Sequence, residues 1–439
     1  MSYNNQIIQS SVHYKTIFFR NFYLMQDSNQ VNYYKWIRIS FINFFIVSAV
    51  GVILRYKIIF PLPFVNQKFL LNGHSHFAFA GWVSQILMVL IVQYIQEEKK
   101  ELNARRYNFI LWANFITAYG MLLSFPFMGY AALSIVFSTL SIFVSYAFIF
   151  FTWKDLGSIK SKSFAQLWFK AALFLFGISS LGAFSLAGLM AGHSHNQSLY
   201  FAALYSFLHF QYNGWFLFGC FGLFFHYAWK QLFTEAGYFS RVIFRILFIT
   251  CFPACILSIL WMELPLWLRL LADAGAIIQL ASLFFITKMF MRLRPYFTSS
   301  AKNTHILWML ALTAFCIKIL LQGLSVIPSL SPFAFGFRPV VIGYLHLSFL
   351  GIISFFILGY CNELLGKYNS SINTKGVLLL IAGVIITELT LMSQGLEAIE
   401  YEAIPFADYI LFGAALMMMT GLGFIGFKKN SFKSVREFV

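Results

Sequence analysis

An all-α, polytopic membrane protein with twelve transmembrane helices and both termini in the cytoplasm is the fold class that three features of the sequence predict. Composition sets the solvent: 60% of the 439 residues are hydrophobic, only 10% are charged, and 55 are Phe. A soluble domain needs more polar surface than this to cover its core. The apolar residues are gathered into runs near twenty residues, the length that crosses about 30 Å of hydrocarbon at about 1.5 Å per residue. Lys and Arg crowd onto alternate connections, the bias that sets orientation in a membrane.

In chain order the runs are 36–54, 74–96, 107–127, 130–153, 166–191, 198–228, 241–262, 265–290, 304–326, 338–361, 374–395 and 406–427. The third and fourth are the least separated, with only Phe127-Met128-Gly129 between them. Residues 1–35 hold His13 and many Asn, Gln and Tyr, with no small-residue cleavage site after an apolar core, and read as a cytoplasmic lead-in. Residues 36–427 form one membrane domain and 428–439 a basic cytoplasmic tail. No repeat of fixed period and no dividing linker is evident.

Of the 31 Lys and Arg residues, 25 lie on the connections that share a side with both termini. Five lie on the other side, Arg55, Lys57, Lys68, Arg269 and Arg338, and Lys318 falls inside a helix. The net charge of +16 is therefore topology and attraction to anionic headgroups. A nucleic-acid surface needs a soluble basic domain, which the sequence lacks, so membrane lipid and not nucleic acid is the expected partner. The expected location is the cell inner (cytoplasmic) membrane, crossed many times. The five cysteines fall within or at the ends of helices, which argues against a disulfide framework; Cys251 and Cys255, one turn apart, are either a thiolate pair or packing residues.

Imidazoles in apolar sequence are costly unless they serve as ligands. Two runs share one pattern, Gly73-His74-Ser75-His76 and Gly192-His193-Ser194-His195. The first opens the second helix at its outer end, and the second lies in the outer connection after the fifth. His209 sits roughly 16 Å down the sixth helix from the same side, and His346 lies near the start of the tenth. These six converge on the outer half of the membrane. His226 and His305 fall at the inner side and read, with His13, as interfacial or solvated.

A neutral imidazole is an axial ligand for heme iron and a ligand for copper. A porphyrin between two helices needs one imidazole from each at similar depth, a requirement His76 and His346 meet. Each is followed five residues later by glycine, Gly81 and Gly351, whose missing side chain lets a flat ring approach.

Through Gly73-His74-Ser75-His76-Phe77-Ala78-Phe79-Ala80-Gly81-Trp82, Leu208-His209-Phe210-Gln211-Tyr212-Asn213-Gly214-Trp215 and Tyr344-Leu345-His346-Leu347-Ser348-Phe349-Leu350-Gly351, the chain resembles the large subunit (subunit I) of the heme-copper oxidase and nitric oxide reductase superfamily. The resemblance implies heme b held by His76, or its neighbour His74, and by His346. It implies copper or non-heme iron at His209, and electron transfer that ends in reduction of oxygen or nitric oxide. A cytochrome or quinol electron donor and partner subunits come with it. Arg338 and Arg269 are the outer cations available for heme propionates.

The sequence departs from that family in three places. Arg241 to Leu264 contains no histidine, so the family's adjacent pair after the seventh helix is missing. The tenth helix carries His346 alone, with Tyr344 two residues earlier, and the position one turn after His209 is Asn213, with Tyr212 and Tyr205 nearby. His193 and His195 are the candidates to complete a three-histidine metal site with His209. Ionisable groups inside the membrane default to function: Glu388 to proton transfer, Asp273 either to function or to a plain pair with Arg269 at i, i+4. His209, Tyr212 and Glu388 are thus the candidate catalytic residues. The outer loop with Glu397, Glu400, Glu402 and Asp408 is either a docking surface for a basic donor or a solvated loop. Alternative readings are a transporter or a metal or pH sensor using the histidines, and an inactive structural relative.

Overall fold

The computed structural model describes residues 30–99, 101–160, 163–231, 233–297, 302–331, 337–367, 370–400 and 404–427. His13 and most of the lead-in, Glu402, and the basic tail lie outside these residues. Long helical rods account for nearly all of the rest, and no strand occurs among the described residues. They are α1 (Tyr33–Ile59), α2 (Gln67–Glu98), α3 (Ala104–Met128), α4 (Ala132–Ser158), α5 (Ala165–Ala191), α6 (197–231), α7 (Phe233–Leu257), α8 (Leu266–Phe297), α9 (Lys302–Leu324), α10 (Arg338–Gly366), α11 (Thr374–Glu400) and α12 (Ala407–Gly426). Eleven helices among the described residues are long and apolar enough to cross a membrane. The chain is an all-helical, multi-pass membrane protein. The expected sixth crossing forms as helix over 197–231 but is not one of those eleven.

Asparagine starts many of the rods. Asn32, Asn66, Asn103 and Asn196 each accept from a backbone N–H three residues on, at Lys35, Phe69, Arg106 and Leu199, as the first turn of a helix requires. Asn373 does the same for Gly376 in α11. The narrow gap between α3 and α4 closes at Gly129, whose φ of 56° is a left-handed conformation that glycine adopts without strain. The Phe69 ring lies where a side chain at that position would stand. At the other end of the chain, α12 packs against both α11 and α1, so the last helix covers the first. The five cysteines are free.

Three of the rods are not α-helical throughout. Residues Ala78–Ser84 in α2, Phe210–Phe216 in α6 and Leu347–Ser354 in α10 are π-helical. Each begins one or two residues after a histidine, His76, His209 or His346, and each contains the glycine five residues beyond it: Gly81, Gly214 and Gly351. The motif recurs three times along the chain without a fixed period.

The three segments are tied together at the core of the bundle. Trp82 Nε1 donates to Ser354 Oγ at 3.0 Å and Trp215 Nε1 to Ser84 Oγ at 3.1 Å, joining α2 to α10 and α6 to α2. Phe44 of α1 stacks on Trp82 at 4.3 Å, and Phe176 of α5 stacks on Trp215 at 4.6 Å. A π turn redirects carbonyls from the α-helical ladder, and neighbours take two of them: Asn43 Nδ2 donates to Gly81 O at 2.7 Å and Asn114 Nδ2 to Ala80 O at 3.0 Å. Asn43 and Asn114 are each 1% exposed. Asn43→Leu removes the donor and leaves a buried carbonyl unpaired, so thermal unfolding in detergent should show a loss of about 1–3 kcal/mol. An unchanged melting temperature would refute this role for Asn43.

The opposite end of the same three rods is held by charge. Glu97 at the end of α2 faces His226 Nε2 of α6 at 3.3 Å and Lys367 Nζ beyond α10 at 3.2 Å. Of the two readings of His226, interfacial or solvated, the solvated one does not hold, since it is 3% exposed and faces the Glu97 carboxylate.

Candidate functional site

A large opening lies between α1, α2, α10, α11 and α12, on the side of the π segments nearest Gln67 and Arg338. With its open mouth it encloses about 1370 Å³. Phe44, Trp82, Phe79 and Phe349 give it aromatic walls, and two imidazoles line it, His74 from α2 and His346 from α10. The two rings lie within electrostatic reach of each other. Nδ1 of each is buried without a hydrogen-bond partner, although the Val47 carbonyl of α1 acts on the His74 ring.

Two guanidinium groups share this space, Arg338 at the start of α10 and Arg55 near the end of α1. Arg55 is within reach of Arg338 and Asp408. Two like charges at one end of an otherwise apolar cavity suit an anionic or dicarboxylate-bearing ligand. Gly51 faces the His74 ring, where a Cβ would lie 3.4 Å from Cε1, so the imidazole stands close against the α1 backbone.

Several expected residues lie elsewhere. His76 is not on the cavity: its ring stacks on Phe125 at 4.4 Å, and its Nε2 pairs with the Tyr130 hydroxyl at 3.2 Å. Two residues along an α-helix turn a side chain by about 200°, so only one of the imidazoles of His74 and His76 faces the cavity, and it is His74. Gly81 and Gly351 do not admit a planar ligand either. Phe77 fills the space beside Gly81, while Ala314 and Leu347 fill that beside Gly351. Arg269 is absent from the cavity wall, and the residue the sequence reading passed over is Arg55, placed in a loop because its apolar run was taken to end at residue 54. The helix continues to Ile59.

The three-histidine site does not assemble. Among the described residues no group of three or more His, Cys, Asp or Glu side chains is placed to hold a metal ion. His193 and His195 are exposed in the connection before α6, with His193 at a left-handed φ of 49°. His209 is 2% exposed, and both of its ring nitrogens are engaged: Nε2 with the Cys251 carbonyl at 2.8 Å and Nδ1 with Asn213 Nδ2 at 3.1 Å. Its Nδ1 accepts and its Nε2–H donates, an arrangement that leaves no lone pair for a metal.

Tyr212 lies beside Tyr344, ring centroids 6.2 Å apart, between His209 and the π segment of α10. Glu388 Oε1 and its neighbour Thr387 Oγ1 are buried without hydrogen-bond partners, and Thr387 lines the histidine cavity. Asp273 Oδ1 is likewise buried and unpaired, so a pair with Arg269, one of its two readings, does not satisfy that atom. Glu397 accepts from the Ile404 backbone N–H and so belongs to the connection itself, while the side chain of Glu400 lies outside the described atoms.

No protein-family model matches the sequence, and no curated protein matches it.

Proposed function

We propose that the chain is a twelve-crossing protein of the cytoplasmic membrane that holds one heme b between His74 and His346 and serves in electron transfer. The observation that carries this reading is the pair of buried imidazoles on α2 and α10, with unpartnered Nδ1 atoms, lining one large aromatic cavity. Bound there, a heme supplies a one-electron iron couple whose potential is tuned by its axial ligands and surroundings. His74 and His346 hold the iron from two helices, Arg55 and Arg338 receive the carboxylates, and the Phe and Trp walls exclude water. The resemblance to heme-copper oxidases and nitric oxide reductases motivates the cofactor. The engaged nitrogens of His209 favour electron transfer over reduction of oxygen or nitric oxide, because a second metal would have to displace the hydrogen bond at the nitrogen it takes.

The test is the optical spectrum of the purified, dithionite-reduced chain, with pyridine hemochrome and metal analysis. The expected result is a low-spin heme b at one per chain and no copper. Absence of a Soret band after heme-replete expression would overturn the reading.

A further inference from the structure

A second cavity, separate from the histidine-lined one, lies between α6, α8, α9 and α10, and with its open mouth it encloses about 490 Å³. Its walls include Phe221 and Phe224 of α6, Phe290 of α8, Trp308 and Leu312 of α9 and Phe356 of α10. None of them offers water or an ion a partner: the Trp308 indole N–H already donates to the Phe356 carbonyl at 3.2 Å, and the one other polar atom in the wall is the weakly polar Cys220 thiol. An apolar void of this kind stays dry, and left unfilled it forfeits dispersion contacts along its whole lining. Most of the wall is buried, but Phe221, Phe290 and Leu312 keep part of their surface. Beside Phe290 and Leu312, Met291 and Met309 are 69% and 42% exposed, so the mouth faces the membrane between α8 and α9.

Charge is distributed unevenly around that mouth. Lys302 and His305 stand seven residues before Met309 and Leu312 on α9, two turns along the same face and roughly 11 Å away. Lys302 is exposed and His305 half-buried. On the neighbouring face of α8, Lys288 and Arg292 are exposed, lying over the Phe284 and Phe239 rings at 5.5 Å and 5.9 Å, and they add positive potential without reaching into the mouth. α9 carries no Asp or Glu, and the single acid of α8, Asp273, is near its opposite end. Asn303 Nδ2 donates to Thr374 Oγ1 at 3.0 Å, which fixes the start of α9 to the connection between α10 and α11, the end of the bundle that also holds Lys367. A headgroup layer is about 5–8 Å deep on each side of the hydrocarbon, so a phosphate held at Lys302 delivers the upper part of its acyl chain to the cavity two turns below.

We propose that this cavity seats one anionic phospholipid, with an acyl chain filling the aromatic space and the phosphate bound by the Lys302 ammonium and the His305 ring N–H. An occupant must be apolar where it meets the walls, must enter sideways from the membrane, and must present negative charge at the first turn of α9. An acyl chain meets the first two demands in any lipid, and the cations with no acid beside them select the anionic headgroup over a zwitterionic one. The site shares no residue with the histidine cavity and does not depend on what that cavity holds.

The experiment is native mass spectrometry of the full chain released from detergent containing equal amounts of palmitoyl-oleoyl phosphatidylglycerol and phosphatidylcholine. One lipid per chain should survive the activation that strips the rest, and it should be phosphatidylglycerol by about tenfold or more. Lys302→Gln with His305→Gln should erase that preference, a loss of about tenfold, while one lipid is still retained. Ala311→Phe, which fills the cavity and leaves both polar residues in place, should retain none. Should Ala311→Phe not fold, phosphatidylglycerol with brominated chains decides: it should quench tryptophan fluorescence saturably, and Trp308→Phe should remove that saturable component. His346→Ala should change none of these results, so failure of the heme reading and failure of this one are separate outcomes. Equal retention of the two lipids by the unaltered chain overturns the proposal. So does an unchanged lipid count in folded Ala311→Phe, or saturable quenching that persists in Trp308→Phe.

Discussion

Replacing either cavity histidine, His74→Ala or His346→Ala, should eliminate the low-spin heme signal, while His76→Ala and His209→Ala should retain it. Each cavity imidazole would be one of two nitrogen ligands holding the iron in the proposed site, and the cavity offers no third imidazole or thiolate to replace it. Loss of one ligand leaves iron at best five-coordinate, which removes the sharp α-band of a bis-imidazole heme. His76 is occupied with Phe125 and Tyr130, and His209 with Cys251 and Asn213, so their loss costs packing and hydrogen bonds but no ligand. Reduced-minus-oxidised spectra on chains matched for folded protein decide the matter. Retention of the signal in His74→Ala with its loss in His76→Ala would reverse the assignment.

The largest stability effect is expected at Asp155, at the end of α4. Its carboxylate accepts from Lys99 Nζ at 2.8 Å, from Tyr107 OH at 2.7 Å and from Arg106, joining α2, α3 and α4 at one point. The Asp155 side chain is 8% exposed, and Lys99 and Arg106 are about a quarter exposed. Removing the acid from such a set leaves two cations and a buried phenol without an acceptor, which costs about 3–5 kcal/mol when the group is fully enclosed. With the cations partly solvated, Asp155→Ala belongs at the lower end of that range, and Asp155→Asn, which keeps an acceptor for Tyr107, below it. Lys99→Met should cost no more than about 1 kcal/mol, because that partner is the more solvated one. Thermal melts of the three variants in one detergent rank them, and a Lys99 effect equal to that of Asp155→Ala would contradict the account.

Much of the fold was legible because lipid imposes a simple rule: a run must be apolar and long. Eleven of the expected crossings reappear as qualifying helices, and residue types alone marked His346, Arg338 and the His74-Ser75-His76 run. Rotation about the helix axis was not legible. In an amphipathic soluble helix the polar face fixes rotation, but the start of α2 carries polar residues on several sides, Gln67, Lys68, Asn72, His74, Ser75 and His76, so the sequence offered no means to prefer His74 over His76. The same ambiguity made Gly81 look like a cofactor face when it is a contact with Phe77. Arg55 was missed for a different reason, since a charge near the end of an apolar run reads as a loop until the helix is seen to carry on to Ile59. The His209 site failed on depth. Exposed His193 and His195 could reach it only if their connection dipped inward, and it does not.

The π segments also divide labour within a single helix. Each extra residue in the turn offsets the two halves of its rod by about 100° relative to an uninterrupted α-helix. In α2, α6 and α10 the halves beyond the π turns meet through Glu97, His226 and Lys367, while the halves before them present or withhold histidines. The chemistry of one end can therefore be rewritten by exchanging a few residues ahead of each π turn, without re-registering the other.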